Sequence, residues 1–434
     1  MFSTKKIGLA LSGGGYRAAV YHLGTLKKLD SLGVLDNLER LSTISGGSIT
    51  GAAYCLHKGD FESFEKEMFN ALTTKSVIGY VLRSWKFIRL LILVVAFLGF
   101  AIFLQFTHFA ILSIPTIIFF FYLVVKFQFK LFPVSEIIEM AYDEFFYSGK
   151  VLSQLCERPE LAIGSTNLQT QRPFTFSKRK MEDSLYAYQN NPVRFDGTNF
   201  PISRAVIASS CVPFAFTPIR IDEKFYQNPK QYGTVDPRLV DGGVYDNQGA
   251  HKLTQKNSSY KCDVVIISDA GNKLPFAKLY NNTFTLLLRT VDLFMVRIKH
   301  FQMIQNLYTG SDIAVSFQSI GWDLHSCIPG FYNNMVAGNI PKELSQYHGL
   351  NGDWIESPKD HKSEIMESLE ASCRYKTIKE NSISPEQLKK IRSVGTNLTC
   401  IKKELARDLM SYAESITEVQ VRLYCPEIID RNAI

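Results

Sequence analysis

The sequence lacks the cysteine and histidine spacings that are typical of a metal site or a disulfide framework. Its eight cysteines are scattered over 434 residues, with no C-x-x-C motif and no histidine nearby at metal-ligand spacing. A zinc-finger protein and a disulfide-stapled secreted protein are therefore excluded. The cysteine pattern fits a reducing cytoplasm.

Two further absences narrow the class of protein. The net charge is +7, yet there is no run of five or more like charges and no basic stripe with interleaved aromatic residues, so nucleic acid is not an expected partner. The N-terminus lacks the apolar core and the small-residue cleavage site of a secretory signal, so we do not expect export by that route. The mild basic excess is compatible with an anionic lipid surface.

A local absence is more informative, because no charged residue occurs between Leu90 and Val125. This apolar run far exceeds the ~18–20 residues that cross a bilayer as one helix. Gln105, Thr107 and His108 interrupt it near the middle, which indicates two apolar helices joined by a polar turn. We therefore predict an inserted helical hairpin over residues 87–126.

The pattern leaves three interpretations of this hairpin. Each arm has about 15–20 residues and a rise of ~22–30 Å, so it either just spans a bilayer or enters it as a shallow re-entrant hairpin. A buried helix pair inside a larger core is the third interpretation. Cations flank the run on both sides, which under the positive-inside tendency predicts a membrane protein whose globular domain lies on the cytoplasmic side. These cations are Lys75, Arg83, Lys86, Arg89, Lys126 and Lys130.

The rest of the chain alternates strands with helices, which predicts an α/β domain with a largely parallel central sheet. Predicted strands cover residues 6–12, 41–45, 161–165 and 261–268, and a helix follows each of the first two. We predict four parts: the first part of the α/β domain, the hairpin, the second part of the α/β domain, and a helical C-terminal extension packed on it. Their bounds are 1–86, 87–126, 127–362 and 363–434.

A glycine-rich turn after the first strand predicts an anion or oxyanion site. Gly13, Gly14 and Gly15 allow successive backbone N–H groups to point one way beside a helix N-terminus, and Arg17 could brace this loop. The same residues also satisfy a dinucleotide-binding fingerprint, with Asp36 as the ribose-binding acid. A nucleotide-binding module is therefore an alternative.

A second glycine-rich turn follows the next strand and suggests a nucleophile. Ser48 stands beside glycines where a strand turns sharply into a helix, which is the geometry of a nucleophile elbow. The spacing departs from G-x-S-x-G because Thr50 occupies the last glycine position and Gly51 comes one residue later. The competing interpretation of Ser48 is a helix cap.

A third turn, Asp241-Gly242-Gly243, supplies a candidate general base. No histidine has a convincing motif around it, and His251 is the best of eight, so a Ser-Asp dyad of Ser48 and Asp241 fits better than a triad. Partial burial would raise the basicity of such a carboxylate. Together the three turns could supply the oxyanion hole, nucleophile and base of an acyl-transfer site.

The sequence resembles the patatin-like phospholipases of the bacterial type. The resemblance rests on five segments, and it covers most of the chain outside the hairpin. The segments are LALSGGGYRA from Leu9, STNLQT from Ser165, ASSCVPF from Ala208, DGG with YDNQG from Asp241, and SDAG from Ser268.

This resemblance implies a three-layer α/β/α fold and hydrolysis of fatty acyl esters in membrane lipids. It implies a catalytic dyad of Ser48 and Asp241, with an oxyanion hole at Gly13, Gly14, Gly15 and Arg17, and no metal or other cofactor. Membrane phospholipid would be the substrate and the bilayer a partner through the 87–126 hairpin. The remaining alternative is a catalytically silent membrane scaffold or effector subunit with the same fold.

Overall fold

The structure, a computed structural model, describes residues 5–271, 281–307 and 313–430. The strands within these residues form one mixed sheet. They are β1 (Ile7–Leu11), β2 (Leu38–Ile44), β3 (Glu160–Asn167), β4 (Arg172–Phe176), β5 (Met181–Asp183), β6 (Leu239–Asp241), β7 (Val264–Asp269) and β8 (Ala314–Ser319).

The sheet has the strand order β5-β4-β3-β2-β1-β7-β8, and β6 pairs with β3 as well. Strands β1, β2, β3, β7 and β8 are parallel to one another, whereas β4, β5 and β6 pair antiparallel. Parallel strands place their carboxyl ends at one edge of a sheet, where ligands bind in open α/β folds. The turns that follow β1, β2 and β7 therefore meet at this edge.

Both faces of the sheet are buried. Leu9 and Leu11 of β1 belong to the larger core, while Ala10 belongs to a smaller core on the other face with Val265 and Phe317. Alternate side chains of one strand thus enter different cores, as expected for a parallel sheet covered on both sides. The predicted three-layer α/β/α fold with a largely parallel sheet is confirmed.

The helices cover these faces and form the hairpin. The α-helices of the described residues are α1 (Gly15–Ser31), α2 (Gly46–Leu56), α3 (Phe61–Thr74), α4 (Val77–Arg83), α5 (Trp85–Leu104), α6 (Ser113–Leu131), α7 (Val134–Tyr142), α8 (Ser184–Tyr188), α9 (Ile202–Ser210), α10 (Gly243–Asp246), α11 (His251–Thr254), α12 (Thr283–Leu307), α13 (Cys327–Val336), α14 (Lys342–Tyr347), α15 (Gly352–Glu356), α16 (Lys362–Ser372), α17 (Tyr375–Glu380), α18 (Pro385–Arg392) and α19 (Lys403–Tyr424).

Helices α5 and α6 form the apolar hairpin, a few residues longer at each end than residues 87–126. Phe97 and Phe120 pack across it with ring centroids 4.8 Å apart. The turn is polar as predicted: the Gln105 amide donates to the Ser113 hydroxyl, and the Thr107 hydroxyl donates to the Leu104 carbonyl at 2.9 Å. At ~1.5 Å per residue, arms of 20 and 19 residues are roughly 30 Å long.

The hairpin is not part of the core. In the most apolar stretches of its two helical segments, only 11% and 6% of the residues are buried. The interpretation as a buried helix pair is therefore wrong. By length and composition, both helices are able to cross a membrane.

The C-terminal helix α19 packs against α1. A Cβ at Gly24 of α1 would lie 2.4 Å from the Met410 carbonyl oxygen, so glycine is what allows the two helices to cross this closely. Lys28 pairs with Glu418 at 2.8 Å at the same interface. Helix α19 is thus an integral part of one helix layer.

Candidate active site

The residue that follows β2 is Ser45, and it occupies the sharp turn into α2. Its backbone has φ 50° and ψ −116°, a positive φ that non-glycine residues rarely adopt. A Cβ at the next residue, Gly46, would lie 2.2 Å from the Gly15 carbonyl oxygen, so only glycine fits beside the turn. This strained strand-to-helix turn has the geometry of a nucleophile elbow, with Ser45 at its apex.

The structure does not place Ser48 at this apex. Ser48 lies in the first turn of α2, is fully buried, and does not line the cavity described below. Its hydroxyl hydrogen-bonds the hydroxyls of Thr43 and Ser209, both at 3.0 Å. The Ser209 hydroxyl in turn accepts the Ser45 amide at 2.9 Å. Ser48 therefore supports the elbow from beneath, and it is Ser45 that the elbow presents.

Asp241 meets Ser45 because β2 and β6 pair with the same edge of β3. Strand β4 pairs with the other edge of β3, β2 pairs up to Gly164, and β6 pairs antiparallel from Asn167 back to Ser165. Strands β2 and β6 therefore run towards each other along β3, and the end of one meets the end of the other. Both side chains line the same cavity, and an interaction with the Ser45 side chain lowers the pKa of the Asp241 carboxyl.

Burial dominates the electrostatics of Asp241. Loss of solvation raises the pKa of its carboxyl from 3.8 to about 6, and hydrogen bonds from the Gly243 amide and the Ser45 hydroxyl oppose this rise. The Gly243 amide donates to Oδ1 at 2.7 Å, which fixes the carboxyl orientation. Such a carboxylate is ionised near neutral pH and is more basic than an exposed one.

The predicted glycine loop lies beside the elbow, and its three amides have different roles. The Gly13 amide donates to the Asn247 carbonyl at 2.9 Å, so it is already used. Neither the Gly14 nor the Gly15 amide donates a hydrogen bond to any residue of the described ranges. These two N–H groups, at the start of α1, are the available donors for a developing oxyanion.

Arg17 braces this loop from behind. Its guanidinium Nη1 donates to the Val394 carbonyl at 2.8 Å, and the adjacent Tyr16 amide donates to the Asn397 carbonyl at 2.9 Å. Both acceptors belong to the loop between α18 and α19. Burial lowers the pKa of the Arg17 guanidinium, and Asp269 opposes this effect. Residues nearly 400 positions apart thus hold the glycine loop in place.

The site opens into a cavity of 610 Å³. Its polar end contains Gly13, Gly14, Gly15, Arg17, Ser45 and Asp241, and it therefore includes every predicted site residue except Ser48. Most of the remaining wall is apolar. That wall includes Ile78, Val212, Phe214, Phe216, Val244, Val291, Met295, Val296 and Leu398.

The two alternative site residues, the candidate base His251 and the candidate ribose-binding acid Asp36, do not line this cavity. His251 lies beside Tyr245 and Asp246, and no histidine of the described ranges lines the cavity. Asp36 precedes β2, at the sheet edge opposite the glycine loop, and lines a separate cavity of 280 Å³. A dinucleotide site requires this acid at the carboxyl edge, so the geometry does not support nucleotide binding.

A sequence signal for Ser45 does exist. Thr43-Ile44-Ser45-Gly46-Gly47 matches G-x-S-x-G at the serine and the last glycine, and departs from it only at Thr43. The predicted strand 41–45 includes Ser45, whereas β2 ends at Ile44. Ser45, three residues before the predicted Ser48, therefore occupies the turn into α2.

Two solved structures resemble the chain. Human GIVD cytosolic phospholipase A2 has 14% sequence identity and a TM-score of 0.38, over 66% of this chain and 48% of that one. VipD from Legionella pneumophila has 12% identity and a TM-score of 0.33, over 99% of this chain and 92% of that one. The chain matches about half the length of the human enzyme. No curated protein matches it in sequence.

The family of the chain follows from its match to a family model. The model described as patatin-like phospholipase matches residues 9–253, more than half of the chain, and this range includes the glycine loop, Ser45 and Asp241. The chain therefore belongs to the patatin-like phospholipase family of lipid acyl hydrolases.

Proposed function

We propose that this protein is a membrane-associated phospholipase that cleaves fatty acyl esters through a Ser45 acyl-enzyme. The observation that carries the proposal is the meeting of Ser45, at a strained elbow, with the buried carboxyl of Asp241 in a largely apolar cavity. A nucleophile, a base of raised pKa and two unused amides are the parts that acyl transfer requires.

The mechanism follows from these positions. Asp241 accepts the Ser45 proton as Oγ attacks the ester carbonyl carbon, and the Gly14 and Gly15 amides stabilise the oxyanion. The tetrahedral intermediate collapses, Asp241 protonates the departing alcohol, and an acyl-enzyme remains. Water, deprotonated by Asp241, then attacks the acyl carbonyl, and Ser45 leaves with the proton as the fatty acid is released.

The membrane part of the proposal rests on the exposed hairpin. Helices α5 and α6 enter the bilayer and keep the cavity at its surface, where the acyl chains of a phospholipid reach the apolar wall. Arg89 donates to the Leu131 carbonyl at 3.2 Å at the open end of the hairpin, so the flanking cations lie together on one side. The positive-inside tendency then puts the catalytic domain in the cytoplasm.

The test is mass spectrometry of lipids after incubation of proteoliposomes with the native protein and with Ser45→Ala, Ser48→Ala and Asp241→Asn. We expect fatty acid and lysophospholipid from the native protein and from Ser48→Ala only. Native protein that releases no fatty acid would identify a silent scaffold instead.

A further inference from the structure

Helix α12 is apolar on two opposite sides. Val291, Met295 and Val296 line the cavity. On the outer side, Leu293 and Phe294 are each 57% exposed and Phe301 is 68% exposed. The outer side of a surface helix in a soluble domain normally carries mostly polar residues, so large exposed apolar side chains there are unusual.

The loop after α9 adds a second exposed apolar element to the cavity rim. Phe214 is 60% exposed and has φ 71°, a left-handed conformation that is unusual for a bulky residue. Val212 beside it is 45% exposed. Backbone strain that holds an aromatic ring out of the core indicates a function for that ring outside the fold.

The rim is continuous with the hairpin. Ile78 lines the cavity, Leu82 lies one turn further along α4, and Trp85 begins α5. These three side chains are 37%, 52% and 68% exposed. An unbroken apolar path therefore leads from the cavity to the membrane helices.

Exposed large apolar side chains are concentrated on these elements. Outside α4 to α6, the rim loop and α12, only six occur in the described part of the chain, and they are scattered. The six are Met140, Leu168, Leu185, Tyr188, Tyr232 and Tyr347. Exposed apolar side chains concentrated in this way mark an interaction site, and the continuity of the cavity rim with the hairpin identifies the partner as lipid.

We propose that the outer face of α12 and the Val212–Phe214 rim form a second membrane contact. They lie in the leaflet surface that the hairpin enters, so the cavity mouth faces the lipid and a phospholipid reaches Ser45 without crossing water. This deepens the proposed function and rests on its membrane part.

The functional test compares a double variant, which carries both Leu293→Asp and Phe294→Asp, with the control Leu185→Asp. Leu185 is 47% exposed and does not line the cavity. Each protein is reconstituted with phosphatidylcholine and phosphatidylglycerol and is also assayed on soluble p-nitrophenyl butyrate. We expect lipid hydrolysis to fall at least about tenfold in the α12 variant while the soluble ester is cleaved within about twofold of native, and Leu185→Asp to change neither. Unchanged lipid hydrolysis, or an equal loss on both substrates, would overturn the proposal.

A second measurement does not depend on hydrolysis. A bimane label on Leu293→Cys, in a Cys400→Ser background, is compared in proteoliposomes and in amphipol, with Leu185→Cys as the control site. We expect a blue shift in lipid at 293 only. The absence of a blue shift at residue 293 would contradict lipid contact. The same blue-shifted spectrum in amphipol would also contradict it and would indicate that protein, not lipid, covers this face. If the label at residue 293 shows the blue shift in a folded protein that cleaves neither substrate, the proposed function is refuted and the membrane contact of α12 still holds.

Discussion

At the scale of single residues, two serines three positions apart have different tasks. Ser45 is presented to the cavity by a strained turn, and Ser48 supports that turn through Ser209. Ser45→Ala is expected to lower the rate of ester cleavage by at least about 1,000-fold, because the nucleophile is lost.

Ser48→Ala is the matched control for this prediction. It should retain activity within about tenfold and lower the free energy of unfolding by ~1–3 kcal/mol, since two buried hydroxyl partners lose a hydrogen bond. Single-turnover kinetics and thermal unfolding measure the two effects. An inactive but stable Ser48→Ala protein would reverse the assignment.

The pKa of Asp241 predicts the pH dependence of the reaction. The base must be ionised, and the pKa of its carboxyl is about 6. We therefore expect kcat/KM for a soluble ester to be level above pH 7 and to fall about tenfold per pH unit below 6. A profile that remains level down to pH 4.5 would exclude Asp241 as the base.

The same shift has a consequence for stability. A carboxyl whose folded-state pKa is raised from 3.8 to about 6 favours folding fully only below pH 4, and this contribution is lost as pH rises through 6. Asp241→Asn removes a buried charge that lowers the free energy of unfolding by about 3 kcal/mol at pH 8. The variant should be inactive, yet its Tm should exceed the native value at pH 8 and converge with it near pH 4. Equal Tm differences at both values would contradict this account.

At the scale of elements, the glycine loop depends on the loop between α18 and α19. Gly15 has φ 59°, and a Cβ there would lie 2.5 Å from the Asn397 carbonyl oxygen. Gly15→Ala should therefore displace an oxyanion donor and lower kcat about 100-fold, with a smaller change in KM.

Gly330→Ala is the control for this substitution. Gly330 lies in α13, and a Cβ there has no heavy atom outside its own helix neighbourhood within 4 Å. Steady-state kinetics on a soluble ester distinguish the two variants. Equal activity of both would show that the contact with Asn397 does not position the loop.

Which elements could be predicted from the sequence depended on how local their determinants are. The β1–glycine loop–α1 unit was predicted within two residues because its apolar run and its glycines adjoin. Strand β6 has only three residues and depends on pairing with β3, so it was identified only as the motif at Asp241. Helix α12 was not predicted because its apolar residues lie on all sides and leave no single periodic stripe.

The contact between Arg17 and Val394 could not be predicted from the sequence. Its partners are 377 positions apart, and the acceptor is a backbone carbonyl whose residue type carries no signal. The brace on the glycine loop was anticipated from Arg17, but the segment that completes it was not.

At the scale of the molecule, the hairpin and the α/β core are separable. Phe87 and Phe132 contact each other at the base of the hairpin with ring centroids 5.9 Å apart, so a short Gly-Ser linker can replace residues 88–131. We expect this variant to cleave a soluble ester at near-native rates but to bind vesicles much more weakly in sedimentation assays. Unchanged vesicle binding would show that the hairpin is not the main anchor.

Labelling with a fluorophosphonate shows which serine is the nucleophile, because the reagent forms a covalent adduct with it. Trypsin releases residues 41–58 as one peptide that contains both serines, and fragment ions between them locate the adduct. We expect the phosphonyl group on Ser45, with labelling abolished in Ser45→Ala and retained in Ser48→Ala. An adduct on Ser48, or a native protein that is not labelled, would contradict this expectation.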